Sequence, residues 1–101
     1  MKIIVVGAGK VGFVLAHMLS LEDHDVVVLD RKEERIATVD ERLDVEAVLG
    51  SSTSTAVLKE AGIEEADMLL AVTERDELNI VACFIAKSFG VKTTVARVRS
   101  P

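Results

Sequence analysis

The segment Gly7-Ala8-Gly9-Lys10-Val11-Gly12 constrains the fold of this chain more than any other, because it joins a strand-like segment to a helix-like one. Before it, Ile3-Ile4-Val5-Val6 is a short β-branched run of the kind that forms a strand buried on both faces. After it, apolar residues recur at helical spacing from Val11 to Leu19. A strand, a GxGxxG turn and an amphipathic helix in this order predict the first unit of a doubly wound α/β fold.

Each glycine of this motif has its own physical role in such a fold. Gly7 permits the tight turn, Gly9 lets a pyrophosphate approach the backbone, and Gly12 allows the helix to pack closely. The free amides at the helix start, with the positive end of the helix dipole, attract phosphate. We therefore predict a cofactor-binding turn, against the alternative of a turn selected only for packing; its residues are Gly7, Ala8, Gly9, Lys10, Val11 and Gly12.

The alternation of apolar patterns continues along the 101 residues. Short apolar runs predict further strands over residues 26–29, 45–49, 66–72 and 93–98. Helical spacing predicts further helices over residues 32–42, 56–62 and 74–89. Strands that alternate with helices form parallel sheets, so we predict one α/β domain over residues 1–101, a Rossmann-like doubly wound parallel sheet of five strands in the order 3-2-1-4-5. Because the six-stranded version of this fold has one more strand, we expect a fragment of a longer protein.

Composition and charge argue against several classes of protein. A formal net charge of −5 does not suit a nucleic-acid backbone, and a chain with no Trp or Tyr has few platforms for base stacking. One cysteine and two histidines exclude a disulfide framework and a Cys- or His-rich metal site. No apolar run approaches the roughly 20 residues that cross a bilayer, and no signal-peptide pattern is present. We expect a cytoplasmic protein that neither binds nucleic acid nor inserts into a membrane.

Asp30 ends the second predicted strand, 18 residues after Gly12. An acidic residue at this place accepts hydrogen bonds from the ribose hydroxyls of a dinucleotide and repels a 2′-phosphate, which favours NAD over NADP. The adjacent Arg31 leaves a 2′-phosphate possible, although we favour a solvated role for it. Asp30 has one alternative role, as the N-cap of the following helix.

The loops after the third and fourth strands add polar candidates. Ser51 and Ser52 follow the third strand, where they either line the adenine end of a ligand or cap the next helix. Thr73 follows the fourth strand and would lie beside the glycine turn in the predicted strand order. The stretch from Thr73 to Asp76 also has the form of a capping box, with Thr73 as the N-cap, so capping competes with ligand contact at this residue.

Arg97 and Arg99 are predicted to end the fifth strand, two residues apart and therefore on one face. Such a pair suits phosphate binding. Its alternative role is to place charge on an exposed edge strand, which hinders pairing with another strand. His17, His24 and Cys83 form no nucleophile–base pair and no metal-binding set. We therefore predict no catalytic residues and no metal site.

Several stretches of the chain together carry a family resemblance. They are the glycine motif with Asp30, Gly50-Ser51-Ser52-Thr53, Glu65-Ala66-Asp67-Met68-Leu69-Leu70-Ala71-Val72-Thr73, Asp76-Glu77-Leu78-Asn79 and Ala96-Arg97-Val98-Arg99-Ser100-Pro101. Over its whole length the chain resembles the N-terminal domain of Trk potassium-uptake regulators, also called KTN and grouped with the RCK domains that gate potassium channels. The glycine motif is shared with many dehydrogenases, whereas the fourth-strand stretch and the terminal stretch are more particular.

The resemblance implies a regulatory subunit and not an enzyme. Members of the family bind NAD(H) or adenine nucleotides (ATP, ADP, AMP) above the glycine motif. They form homodimers and rings on the cytoplasmic face of a membrane-embedded potassium transporter or channel, and ligand exchange biases transport. The resemblance places Gly7, Gly9, Lys10, Val11 and Asp30 on the pyrophosphate and ribose, and Ser51, Ser52 and Thr73 along the site. It also implies that Arg97 and Arg99 reach phosphates, sometimes those of a neighbouring subunit.

The helix predicted over residues 74–89 is apolar on two sides, since Ile80 and Phe84 lie off its main stripe. We expect these two side chains in a homodimer interface, against the alternative of a core helix with a wide stripe. Two other functions stay open: the cofactor half of an NAD-dependent dehydrogenase, and an assembly domain whose glycine turn binds nothing.

Overall fold

The computed structural model describes residues 1–99 and has one parallel sheet of five strands in the order β3-β2-β1-β4-β5. The strands are β1 (Lys2–Val6), β2 (Asp25–Asp30), β3 (Glu46–Leu49), β4 (Met68–Ala71) and β5 (Thr93–Ala96). Four helices connect them: α1 (Lys10–Leu21), α2 (Glu33–Arg42), α3 (Thr55–Glu60) and α4 (Asp76–Ser88). The predicted fold class and strand order are confirmed.

Helices cover both faces of the sheet, which is why the central strands are continuously apolar. On β1, Ile3 and Val5 belong to a core that includes Ala16 of α1 and Val39 of α2. The alternate residues of β1 belong to a second core on the opposite face, made with α3 and α4. Alternation along β1 thus divides one strand between two cores.

The strand order reverses at β1: the chain adds β2 and β3 on one side of β1 and then β4 and β5 on the other side. Backbone hydrogen bonds fix the loops at this edge: the Gly7 amide donates to the Leu29 carbonyl at 2.7 Å, and the Val72 amide donates to the Val6 carbonyl at 2.8 Å. The amide of Gly50 is held by the carbonyl of Asp30 in the same way, at 2.9 Å. In open α/β sheets, ligands bind in the crevice outside such a reversal.

Two predicted details are wrong. β5 ends at Ala96, so Arg97 and Arg99 follow the strand and do not end it. The predicted capping box does not form, because α4 begins at Asp76 with Arg75 as its N-cap and no side chain of the described residues caps it. Residues Ser100 and Pro101 of the resemblance lie outside the described residues.

Candidate functional site

The glycine turn is fixed by two close approaches. Gly7 has a φ of +108°, and a Cβ built there would lie 3.0 Å from the amide nitrogen of Thr73. A Cβ on Gly12 would lie 1.6 Å from the Gly7 carbonyl oxygen, so the first turn of α1 rests directly on the glycine turn. Gly7 therefore serves the turn, as predicted, and Gly12 serves the contact between helix and turn.

Gly9 is the N-cap of α1 and has extended backbone, with no capping side chain among the described residues. The first regular helical hydrogen bond runs from the Phe13 amide to the Gly9 carbonyl at 2.9 Å, so the amides of Lys10 to Gly12 precede it. The atoms nearest to a Cβ on Gly9 would be the ends of two side chains, at 3.0 Å from Glu74 and 3.4 Å from Arg35. The space above the helix start is therefore bounded by movable groups, and this geometry fits an anion.

Asp30 is 8% exposed, and its carboxylate joins the glycine turn to the start of α2. Its Oδ2 accepts a hydrogen bond from the Ala8 amide at 2.7 Å, and its Oδ1 accepts one from the Lys32 amide at 2.8 Å. The N-cap of α2 is Lys32, so the predicted alternative of Asp30 as that N-cap is wrong. Each carboxylate oxygen has two lone pairs and can accept a further hydrogen bond from a hydroxyl group.

A cleft of about 220 Å³ lies at this edge of the sheet. Its apolar surface comes from Val6, Leu29 and Leu78. Its polar surface includes five of the predicted site residues: Asp30, Arg31, Ser51, Ser52 and Thr73. The structure thus brings together side chains from the ends of several strands, and the mixture of apolar and convergent polar groups is typical of a small-molecule site.

The loop after β3 presents hydroxyl groups that do not cap the next helix. Ser51 Oγ lies 2.8 Å from Thr53 Oγ1 and accepts a hydrogen bond from the Thr53 amide at 3.2 Å. The residue that caps α3 is Ser54, whose hydroxyl accepts from the Val57 amide at 3.3 Å. Ser51 is exposed and Ser52 is 8% exposed, and both line the cleft.

Asn79 is fully buried and holds the loop after β4, a role not predicted from the sequence. Its Oδ1 accepts hydrogen bonds from the Thr73 amide at 2.9 Å and from the Thr73 hydroxyl at 2.6 Å. Its Nδ2 donates to the carbonyls of Thr73 at 3.1 Å and Arg97 at 2.8 Å. This network explains why Thr73 does not cap α4, and the signal for it was one Asn among the apolar residues of that helix.

Arg97 and Arg99 do not line the 220 Å³ cleft that contains Asp30 and Thr73, which is called the main cleft from here on. The Arg97 amide donates to the Ala71 carbonyl at 2.9 Å, which continues the ladder for one bond beyond β5. The Arg99 guanidinium donates to the main-chain carbonyl of Glu74, and the Arg99 amide donates to Asp76 at 3.1 Å. Arg99 lines a second, more open cleft of about 400 Å³, together with the residues from Glu74 to Glu77.

Arg35 and Glu74 also line the main cleft, and no sequence pattern predicted a role for either of them there. Arg35 Nη2 donates to Glu74 Oε1 at 2.8 Å, and Arg35 Nη1 lies 3.6 Å from Asp30 Oδ2. The hydrogen bond between Arg35 and Glu74 is the main cause that raises the pKa of Arg35 and lowers the pKa of Glu74. Residues 39 positions apart carry no common spacing pattern, so only the strand order indicates that they meet.

Other reactive groups lie away from the cleft. Cys83 is partly buried, and desolvation raises the pKa of its thiol, so the reactive thiolate is disfavoured. Within residues 1–99, no group of three or more His, Cys, Asp or Glu side chains is arranged to hold a metal ion. None of the helices in the described part of the chain has the length and apolar character needed to cross a membrane.

A glycine turn after β1, a buried carboxylate at the end of β2 and a crevice at the strand reversal define a Rossmann-like α/β domain. The chain belongs to the TrkA-N domain family, whose model matches residues 3–101. It is 48% identical over 101 residues to the Trk system potassium uptake protein TrkA of Azorhizobium caulinodans. That match covers 99% of this chain and 22% of the relative, so the chain spans less than a quarter of the relative's length.

Solved structures agree with this fold. The NAD(P)-binding domain of an exopolyphosphatase-related protein from Archaeoglobus fulgidus superposes with a TM-score of 0.83 at 25% identity, over 98% of this chain and 74% of that one. The Kef C-terminal domain of Shewanella denitrificans in its AMP-bound form gives a TM-score of 0.79 at 18% identity, over 94% and 57% of the two chains. At 18% identity the second comparison supports the fold alone.

Proposed function

We propose that this chain is the nucleotide-binding domain of a regulatory subunit in a Trk-type potassium uptake system, with NAD(H) or an adenine nucleotide (ATP, ADP or AMP) as its ligand. The observation that carries the proposal is the buried Asp30 carboxylate, held between the glycine turn and the cleft. A carboxylate in this position is placed to accept hydrogen bonds from ribose hydroxyls and to oppose a 2′-phosphate.

The site divides by chemistry along its length. The amides from Gly9 to Gly12, with Gly7 and Ala8 shaping the turn, would hold the phosphates. The apolar surface formed by Val6, Leu29 and Leu78 would take the adenine ring. Ser51, Ser52 and Thr73 would provide hydroxyls along the same cleft, and Arg31 would stay at its rim as an exposed cation.

The regulatory role rests on the family and on the name of the relative. A TrkA-N domain that is 48% identical to part of a potassium uptake protein supports a role in the same kind of system. In this proposal the subunit works in the cytoplasm at the inner face of the membrane, beside a membrane-embedded potassium transporter or channel. It has no catalytic residue of its own and acts by binding. A ligand shifts a conformational equilibrium only by its different affinities for the two states, so two competing nucleotides would make a switch.

The switch requires an assembly, and α4 offers a surface for it. Ile80 is 52% exposed and Phe84 is 78% exposed, so the second apolar side of this helix lies outside both cores. We propose that these side chains pack in a homodimer or a larger ring. In such an assembly Arg97 and Arg99, which do not face the main cleft of their own chain, would reach the phosphates of a neighbouring subunit. A chain that stays monomeric at high micromolar concentration in light scattering would contradict the dimer.

A binding panel tests the ligand. The chain is titrated by calorimetry with NAD⁺, NADH, NADP⁺, ATP, ADP and AMP, and thermal shift gives a second measure. Ligand at 100 times its dissociation constant adds about 2.7 kcal/mol to the free energy of unfolding. Binding of NAD(H) or adenine nucleotides, weak binding of NADP⁺ and loss of binding in Asp30→Ala support the proposal. Hydride exchange with a substrate would instead favour the cofactor-binding half of a dehydrogenase. If none of the nucleotides binds, an assembly domain is favoured.

A further inference from the structure

The ion pair between Arg35 and Glu74 joins two segments that line the main cleft. Arg35 lies on α2, which follows β2, and Glu74 lies in the loop after β4. β2 and β4 are the two neighbours of β1, so the pair crosses above the strand that carries the glycine turn. The two charged ends meet at 2.8 Å.

This pair occupies the space above Gly9, at the start of α1. A Cβ on Gly9 would lie 3.0 Å from Glu74 Oε1 and 3.4 Å from Arg35 Nη1. The glycine turn leaves Gly9 bare at the place where a ligand phosphate approaches the backbone. The Glu74 carboxylate is therefore paired with the Arg35 guanidinium beside the bare backbone of Gly9, where a phosphate bound at the helix start would lie.

A phosphate is a stronger partner for the same groups. Guanidinium binds phosphate and carboxylate with the same fork geometry, and a diphosphate carries more charge than one carboxylate. Glu74 has a side chain 53% exposed, so its ion pair is of the surface kind that contributes little and is displaced easily. Asp30, which also lies near Arg35, is held by two backbone amides and would stay in place.

We propose that the Glu74 carboxylate takes the place of the ligand phosphate on Arg35 when no nucleotide is bound. When a nucleotide binds, its phosphate displaces Glu74 from Arg35. Arg35 then becomes a phosphate-binding residue, and the site carries its own competitor. The inference rests on the proposed function, because it assigns a regulatory device to the same site. It applies to any nucleotide with a 5′-phosphate and not to the bare nucleoside.

Displacement of the Glu74 side chain would also affect residues outside the cleft, because the main chain of Glu74 contacts Arg99. The carbonyl of Glu74 accepts a hydrogen bond from the Arg99 guanidinium, and the amide of Arg99 donates to Asp76. The loop that releases Arg35 is therefore the loop that holds the segment after β5. Occupation of the phosphate position would thus alter the contacts of Arg99.

The experiment compares Glu74→Gln with the unaltered chain, using calorimetry with adenosine, AMP and ADP at low ionic strength. Gln keeps the shape of Glu and removes the charge, so the competitor is weakened without a cavity. We expect ADP to bind about three- to five-fold more tightly to Glu74→Gln, and adenosine to bind equally to both. Arg35→Gln should weaken the binding of ADP and leave the affinity for adenosine nearly unchanged.

A matched control is Glu60→Gln, which removes the charge of an exposed carboxylate on α3. Glu60 lines neither cleft, so this variant should bind ADP as the unaltered chain does. The double variant Arg35→Gln/Glu74→Gln separates displacement from simple repulsion. With Arg35 absent, the gain from Glu74→Gln should fall to less than about two-fold.

Three results would overturn the inference while leaving the proposed function intact. They are equal ADP affinity in Glu74→Gln and the unaltered chain, an equal gain for adenosine and ADP, and a gain that persists undiminished when Arg35 is also replaced. If neither the unaltered chain nor any variant binds adenosine, AMP or ADP, both the inference and the proposed adenine-nucleotide ligands fail.

Discussion

The Asp30 carboxylate accepts a 2.7 Å hydrogen bond from the Ala8 amide, a contact between residues 22 positions apart. It joins the end of β2 to the glycine turn after β1, and both groups are buried. The same carboxylate accepts from the Lys32 amide, so the turn and the start of α2 share one anion. Asp30 is thus part of the fold as well as a candidate ligand contact.

Asp30→Asn should destabilise the chain even without ligand. The amide side chain has one oxygen, so either the Ala8 amide or the Lys32 amide loses its acceptor and meets an amide donor. Hydrogen bonds to a charged acceptor contribute about 1.5–3 kcal/mol, so we expect the free energy of unfolding to fall by about that amount in urea titrations. Asp25→Asn, at the exposed first residue of β2, is the control and should change it by less than about 0.5 kcal/mol. Equal stability of Asp30→Asn and the unaltered chain would contradict the structural role.

The two glycines Gly9 and Gly12 should respond differently to alanine. A Cβ on Gly12 would lie 1.6 Å from a backbone oxygen, and neither the turn nor α1 can move aside without losing its hydrogen bonds. We expect Gly12→Ala to lose more than about 3 kcal/mol, beyond the usual cost of overpacking, or not to fold at 25 °C. Circular dichroism in urea measures this loss.

Gly9→Ala is the matched variant, because the atoms nearest to its Cβ are the flexible ends of Glu74 and Arg35 and not backbone. It should fold with a loss below about 1 kcal/mol. The added methyl stands where a phosphate would approach, so nucleotide binding should weaken although the fold is kept. Equal destabilisation by the two substitutions would contradict the contact described for Gly12.

The strand order and the position of Asp30 were predictable because both follow from local patterns. β-branched runs between turns indicate buried parallel strands, and the glycine motif places the end of β2 beside the turn. The contacts of Thr73 and Arg97 were not predictable in this way. Thr73 has a good capping sequence, but the Asn79 side chain lies close to the same loop and binds both the amide and the hydroxyl of Thr73.

The meeting of Arg35 and Glu74 was missed for a different reason. Each residue lies among other charged residues, in segments whose sequence is typical of solvated surface. Only the three-dimensional order β2-β1-β4 brings the two segments to the same place. An exposed ion pair between distant segments produces no periodic pattern in the sequence, so it can be identified only from a structure with side chains.

Asn79→Leu should test the network at the end of β4. Leu has a similar shape, but it leaves the Thr73 amide and the Arg97 carbonyl without their partners in a fully buried position. An unsatisfied buried group costs about 1–3 kcal/mol, so we expect a total loss of about 2–5 kcal/mol in urea unfolding. Ser88→Ala, which removes an exposed hydroxyl on the same helix, should change stability by less than about 0.5 kcal/mol. A neutral Asn79→Leu would show that the loop holds its shape without the network.

The ion pair of Arg35 and Glu74 should make stability depend on pH in the acid range. The hydrogen bond from Arg35 lowers the pKa of Glu74 below its ordinary value of 4.5. The stabilisation is therefore present above the pKa of the unfolded chain and is lost as the pH falls through the lower pKa of the folded chain. Because the Glu74 side chain is 53% exposed, solvent screening keeps the effect below about 1 kcal/mol.

Urea unfolding between pH 7 and pH 3 measures this dependence. Glu74→Gln should be less stable than the unaltered chain at pH 7, and the difference should shrink towards zero below the folded pKa of Glu74. Glu60→Gln is the control, since Glu60 is an exposed residue of α3 on the opposite face of the sheet from α2. A difference between Glu74→Gln and the unaltered chain that stays constant over this pH range would contradict the ion pair, because a protonated glutamate and the glutamine that replaces it should contribute nearly equally at this position.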